Sequence, residues 1–230
     1  MRSSLVETFF EGRPSDSPFV EMIWRGQAGS NYFAVCPADV RWNLLFLKHM
    51  DTVRVSVEGP LAWATSKTQP EGTEFLVIRF KLGVYMPHLP VTPLVNGDVI
   101  LPEGASKTFW LHSATWQLPD FENVENFVEK LVRHDLLVRD PIVDAAIQQQ
   151  QMNYSFRTVR RRFLHATGLT PKSIQQIERA NQAAALLAQG VSILDAAYEL
   201  GYADQPHLTR SLKRFIGTTP AQIARAAAVE

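Results

Sequence analysis

The chain has a single cysteine, Cys36, in 230 residues, so no internal disulfide can staple it. Neither Arg41 nor His49 is spaced to activate that sulfur, and Cys36 reads as a packed thiol rather than a redox or methyl-acceptor group. No run of 18 apolar residues occurs, which excludes a membrane-spanning helix. Phe9-Phe10 is followed at once by Glu11, Arg13 and Asp16, a start unlike a signal peptide, so a cytoplasmic location is expected. His49, His88 and His112 stand singly, with no His-x-His pair and no suitably spaced carboxylate, so neither a metal centre nor another cofactor is expected. Net charge is also missing, because 23 Lys+Arg balance 23 Asp+Glu. That zero hides an asymmetry: residues 1–140 carry 13 basic against 17 acidic residues, net −4, and residues 141–230 carry 10 against 6, net +4. Only the second part has the local positive field of a nucleic-acid module.

The most specific pattern in the chain lies there, in Ser192–Pro220. Ser192 can cap a helix in which Ile193, Ala196, Ala197 and Leu200 recur at helical spacing, and Gly201 supplies its left-handed end. Asp204 then caps a second helix, with Pro206 in the first turn, where a missing N–H costs nothing. Leu208, Leu212 and Phe215 face inward there, while Arg210, Lys213 and Arg214 face away. A short helix, a glycine turn and a second helix basic on its outer face is the geometry that places a helix in the major groove of DNA.

An internal repeat extends the pattern. Arg161-Arg-Phe163 precedes Gly168-Leu-Thr-Pro171, and Lys213-Arg-Phe215 precedes Gly217-Thr-Thr-Pro220, about fifty residues on, which suggests a duplicated unit. Each Thr-Pro can start the next helix and offer its free N–H groups to phosphate. In the first copy Phe156, Val159 and Phe163 share one face, and Arg157, Arg160 and Arg161 lie on another, with Arg162 displaced to the side. No carboxylate occurs between Asp144 and Glu178 to neutralise them, so a polyanion is the expected partner.

Ala197-x-x-x-Gly201-Tyr, Asp204-Gln, His207-Leu-Thr-Arg, Leu212-Lys-Arg-Phe and Gly217-x-Thr-Pro220 resemble the signature of AraC/XylS-type transcription regulators. The resemblance covers roughly residues 140–225 and implies two helix-turn-helix units joined by one long helix. By that resemblance Arg157, Arg160 and Arg161 face bases in the first unit, and Gln205, Pro206, Thr209, Arg210 and Lys213 do so in the second. Arg162, Lys172, Arg214, Thr170 and Thr219 are expected at phosphates, which set position but carry no sequence information. Thr170–Leu187 is the expected linker helix, with Ile174, Ile177, Ala180, Ala184 and Leu187 buried, holding both units on successive major grooves about 34 Å apart. The chain departs from the family at Gln148–Gln151, where apolar positions are expected. The first unit therefore reads as two helices shortened or merged ahead of a turn at Asn153-Tyr-Ser155, where Asn153 can take the left-handed conformation usual for glycine. It would supply much of the charge while the second unit reads sequence.

The first 118 residues have another texture. Apolar runs at Phe19–Trp24, Tyr32–Val35, Asn43–Leu47, Thr52–Val57, Glu74–Phe80 and Asp98–Leu101 alternate with turns at Glu58-Gly-Pro60, Gln69-Pro-Glu-Gly72 and Asn96-Gly-Asp98, predicting an antiparallel sandwich or barrel. Arg79-Phe-Lys-Leu-Gly83 is similar to a stretch of the cupin-like domains attached to some of these regulators. Phe121–Leu137 reads as an amphipathic helix with Val124, Phe127, Val128, Leu131 and Leu137 on its apolar side, either connecting the halves or pairing two copies. The expected fold is thus α+β with two domains: a β-rich domain at 1–118 for sensing or dimerisation, a connecting helix at 119–139, and a DNA-binding domain at 140–230. Trp24, Trp42, Trp63, Trp110 and Trp116 either line an effector pocket in the β domain or simply fill its core. Three readings stand. The leading one is a non-enzymatic, sequence-specific regulator whose partners are double-stranded DNA, a small-molecule effector, RNA polymerase and a second copy of the chain. The others are a cupin-like enzyme with an appended DNA-binding domain, and an effector-independent DNA-binding protein whose first domain only dimerises or contacts polymerase.

Overall fold

The computed structural model describes residues 9–30, 33–148, 150 and 153–227. Among these the chain begins with β1 (Phe9–Pro14), β2 (Val20–Gln27), β3 (Phe33–Cys36), β4 (Asn43–His49), β5 (Thr52–Glu58) and β6 (Thr65–Thr68). It continues through β7 (Glu74–Phe80), β8 (Val84–Tyr85), a 3-10 turn at Thr92–Leu94, β9 (Asp98–Leu101), β10 (Thr108–Leu111) and β11 (Ala114–Gln117). Then come α1 (Val124–Arg133), β12 (Val138–Arg139), α2 (Pro141–Ile147), α3 (Phe156–Thr167) and α4 (Pro171–Ala188). The helices α5 (Ile193–Glu199), α6 (Gln205–Phe215) and α7 (Pro220–Ala227) complete the described chain. Strands β7 and β9 have the bounds expected from sequence, and β2, β4 and β5 shift at one or both ends by one to three residues. Residue 32 of the expected Tyr32–Val35 strand lies outside the described residues, as do Gln149, Gln151 and Met152. No described helix is long and apolar enough to cross a membrane.

The chain divides into two compact units: Met1–Phe33, Arg41–Pro60 and Thr68–Gly168 form the first, and Ala34–Val40, Leu61–Lys67 and Leu169–Glu230 the second. The division after Gly168 places α2 and α3 with the sheet, whereas residue 140 is the boundary expected from composition. The β segments 34–40 and 61–67 group with the C-terminal helices instead.

The first unit is built on a six-stranded antiparallel sheet of order β1-β2-β7-β4-β5-β9. β1 and β9 are its edges, so closure into a cupin-like barrel is not part of the described sheet order. Period-two alternation puts Ile23, Leu44, Phe46, Val55, Val57, Leu76, Ile78 and Phe80 on one face. That face joins Val124, Phe127, Val128 and Leu131 of α1, and Phe109 and Leu111 of β10, in one core. Phe46 lies edge-on to Phe109 and Phe127, with ring centres 5.8 and 6.2 Å apart. Deleting such a ring typically costs about 3–5 kcal/mol. Arg13 of β1 anchors α1, donating from Nη1 and Nη2 to Glu125 at 2.6 and 2.8 Å and from Nη2 to the Phe121 carbonyl at 2.8 Å.

In the second unit α4 carries the buried stripe Ile174, Ile177, Ala180, Ala183 and Leu187, with Ala184 only half-buried. α5, α6 and α7 pack on it. β3 pairs with β6, and Asp39 forms an antiparallel bridge with Leu61.

Candidate nucleic-acid interface

Four helix starts are capped by the side chains that the local chemistry calls for. The Oγ atoms of Ser155 and Ser192 accept from the amides of Thr158 (3.2 Å) and Asp195 (3.1 Å). Asp204 Oδ1 accepts from the His207 amide at 2.6 Å, and Thr170 Oγ1 from the Ser173 amide at 3.1 Å. At α7, Thr219 Oγ1 accepts from the Gln222 amide while Gln222 Oε1 accepts from the Thr219 amide at 2.8 Å, a reciprocal cap. Gly201 has φ of 68°, the left-handed ending expected, and Gly168 and Gly217 match it at 69° and 86°. Ser155, which caps α3, is extended, with φ −64° and ψ 150°.

In α6, Leu208, Ser211, Leu212 and Phe215 are buried. Ser211 Oγ lies 3.1 Å from Tyr202 Oη, and the Arg179 guanidinium sits 4.4 Å over the Tyr202 ring. Gln205, Pro206, Arg210, Lys213 and Arg214 are exposed, with Thr209 half-exposed between them. The far end of α6 is tied by backbone from much earlier in the chain: Ala64 N donates to the Arg214 carbonyl at 2.8 Å and Ala38 N to the Phe215 carbonyl at 2.6 Å. These amides satisfy carbonyls that the last turn of a helix leaves without partners. Sequence reasoning missed this support because it joins segments about 150 residues apart.

In the first unit Arg157, Arg160 and Arg161 are all exposed, and Phe163, Ala166 and Thr167 are buried. Arg162 turns inward: its Nε is 2.7 Å from Oδ2 of Asp140, an ion pair too poorly aligned for a hydrogen bond. Asp140 is fully buried and holds several elements together. Its Oδ1 caps α2 by accepting from the amides of Ile142 and Val143 at 2.9 and 3.1 Å, and its own amide donates to the Gly83 carbonyl at 2.9 Å. The start of α2 at Asp140 was legible from Asp-Pro, but the pairing with Arg162 was not. α3 is further held by an edge-on contact of His165 with Tyr85 at 4.9 Å and by Thr92 Oγ1 donating to the Leu164 carbonyl at 3.4 Å.

The caps also correct the register of the repeat. Ser155 and Asp204, Gly168 and Gly217, and Thr170 and Thr219 each stand 49 positions apart. In that register Phe163 matches Leu212 rather than Phe215, Arg161 matches Arg210, and Arg162 matches buried Ser211. The basic-basic-Phe triplets misled because they differ by three residues, nearly one helical turn, which keeps both phenylalanines on the buried side. The match to Ser211 explains why Arg162 lies inward, away from the phosphate position expected for it. Phe156, expected to share a face with Phe163, is 77% exposed at the tip of α3. Lys172 is exposed, and Thr170 and Thr219 carry the caps just described.

The tryptophans are not brought together. Trp42 is buried, stacked on Phe80 at 4.3 Å, and donates to the Val84 carbonyl at 2.6 Å. Trp24 lies on the opposite sheet face under the Arg79 guanidinium, 4.3 Å away, and Trp116 packs edge-on to Phe127. Trp110 is 44% exposed, and Trp63 is 49% exposed in the second unit. Trp42 lines a cavity of about 10 Å³ with Val57, Gly59, Met86, Leu89, Val91 and Leu94. That is the space of at most one water. His88 and His112 do not stand alone: their rings are 4.5 Å apart, and burial together with the neighbouring His112 charge lowers the His88 pKa. Among the described residues no group of three or more His, Cys, Asp or Glu is placed to hold a metal ion.

The two capped, basic helices fall within a match of residues 149–226 to the family model described as Helix-turn-helix domain. Residues 149–226 are an AraC-type helix-turn-helix domain. The chain is 47% identical over 48 residues to the uncharacterized HTH-type transcriptional regulator YbfI of Bacillus subtilis, a match covering 21% of this chain and 18% of that protein. It is 33% identical over 87 residues to the HTH-type transcriptional regulator RipA of Corynebacterium glutamicum, covering 37% of this chain and 26% of RipA. The chain thus matches less than a third of the length of either relative. Among solved structures, ToxT from Vibrio cholerae aligns with 94% of this chain and 98% of its own at 10% identity, with a TM-score of 0.40.

Proposed function

We propose that the chain is a sequence-specific DNA-binding transcription regulator whose helix-turn-helix domain reads DNA through α3 and α6. The observation that carries this reading is the repeated geometry: two helices, each capped 49 positions from the other, present Arg157, Arg160 and Arg161 and, in the second copy, Gln205, Thr209, Arg210 and Lys213, with no carboxylate inside either helix. Arg210 and its counterpart Arg161 are assigned to bases, because a guanidinium fork fits guanine O6 and N7. Lys172, Arg214 and the helix starts at Thr170 and Thr219 are assigned to phosphates. Arg210→Ala is expected to weaken a cognate duplex by about 1–3 kcal/mol and random DNA far less, measured by fluorescence anisotropy. Equal weakening on both would make Arg210 a phosphate contact.

The role of the sheet unit is a second point within this reading. The cavity lined by Trp42, Val57 and Met86 holds at most one water and does not by itself seat an effector, so sensing, pairing of two copies and contact with RNA polymerase are the roles to separate. Scanning fluorimetry against a metabolite panel tests this, since a ligand at 100 times its Kd adds about 2.7 kcal/mol of stability. A metabolite that raises the Tm by the corresponding amount would favour the sensing role.

A further inference from the structure

The first turn of α3 leaves a large apolar ring that the described residues do not cover. Phe156 is 77% exposed and Tyr154, two residues earlier, is 54% exposed. Phe156 shares the helical stripe of Phe163, yet only Phe163 is covered. The ring stands beside Arg160, its i+4 neighbour, and within one turn of exposed Arg157 and Arg161. Its counterpart in the second helix-turn-helix unit is Gln205, the first residue after the cap and one of the groups assigned to bases. The Ser155 and Thr158 hydroxyls, 3.0 Å apart, fix this turn.

A recognition helix enters the major groove by its N-terminal end, so a first-turn side chain reaches the base edges. A phenyl ring has no hydrogen-bonding atom, and the one apolar group on the floor of that groove is the C5 methyl of thymine. The three exposed arginines draw the polyanion to this end of the helix and leave the ring facing base edges. We propose that Phe156 is a specificity-determining residue that reads a thymine methyl in the half-site bound by α3. The proposal rests on the DNA-binding reading and adds to the base contact assigned to Arg161 one made without charge.

Deoxyuridine differs from thymidine only by that methyl, which makes the test direct. A duplex is selected from a random pool by the full chain, and each thymine in it is replaced singly by deoxyuridine. One replacement is expected to weaken the wild-type chain about fourfold, the equivalent of about 0.8 kcal/mol for one buried carbon. The same replacement should leave Phe156→Ala unaffected, and on the unmodified duplex that variant should lose about the same factor. Because Phe156 is exposed, the variant should unfold like wild type in urea, and Arg161→Ala should remain sensitive to the deoxyuridine. The proposal is overturned if no replacement separates wild type from Phe156→Ala, or if that variant weakens every duplex equally, as a ring wedged between any base pairs would. If the wild-type chain binds selected and scrambled duplexes alike, the sequence-specific reading itself fails, and the two failures are therefore distinguishable.

Discussion

Replacing Asp140 tests how α3 is fastened. Asp140→Ala removes an N-cap that accepts two amides, which typically contributes about 0.5–2 kcal/mol. It also strands Arg162. Losing one partner of a fully buried pair costs about 3–5 kcal/mol, but the Arg162 side chain is 34% exposed and recovers much of its hydration, so about 1 kcal/mol is expected from this part. The sum is about 1.5–3 kcal/mol. Asp140→Asn keeps a capping oxygen and loses the charge, so it should cost only about 1 kcal/mol. Urea unfolding followed by tryptophan fluorescence measures both, since Trp42 sits in the core of the same unit. A double-mutant cycle with Arg162→Ala isolates the pair, with an expected coupling of about 1 kcal/mol. Zero coupling would refute the ion pair, and an Asn variant as costly as Ala would show that the cap contributes little.

Three further outcomes are expected. Arg162→Ala should leave the salt dependence of DNA binding at the wild-type slope, because its guanidinium faces Asp140; a slope lower by about one phosphate contact would return Arg162 to the DNA. Glu125 is held down from its ordinary 4.5 to about 2, chiefly by the hydrogen bond from Arg13, so its contribution is full above about pH 4.5 and is lost as pH falls toward 2. Since Glu125 is 35% exposed, the loss should be about 1 kcal/mol after screening, and Glu125→Gln, followed by acid titration of stability, should lack that step. Gly217→Ala should lower the Tm more than Gly201→Ala: both need positive φ, at about 1 kcal/mol, but a Cβ at Gly217 would meet Val35 at 2.8 Å, whereas at Gly201 it meets nothing within 4 Å. Equal shifts would mean that the Val35 contact gives way freely.

The helices of the C-terminal half were legible because their signals are local. Ser192, Asp204, Thr170 and Thr219 cap where they stand, and the expected linker Thr170–Leu187 is α4, Pro171–Ala188, with its cap. A cap bond spans two or three residues and a buried stripe repeats every three or four, so both are written in adjacent positions. By the same logic the alternation of β7 and β9 fixed their bounds. Tertiary structure decided what depends on residues far apart in the chain. It turned Arg162 inward to Asp140, exposed Phe156, closed the end of α6 with the amides of Ala38 and Ala64, and dispersed the tryptophans that composition suggested as a pocket. A side chain's periodicity tells which face of an element it occupies. Whether that face is covered, and by what charge, depends on segments that only folding brings near.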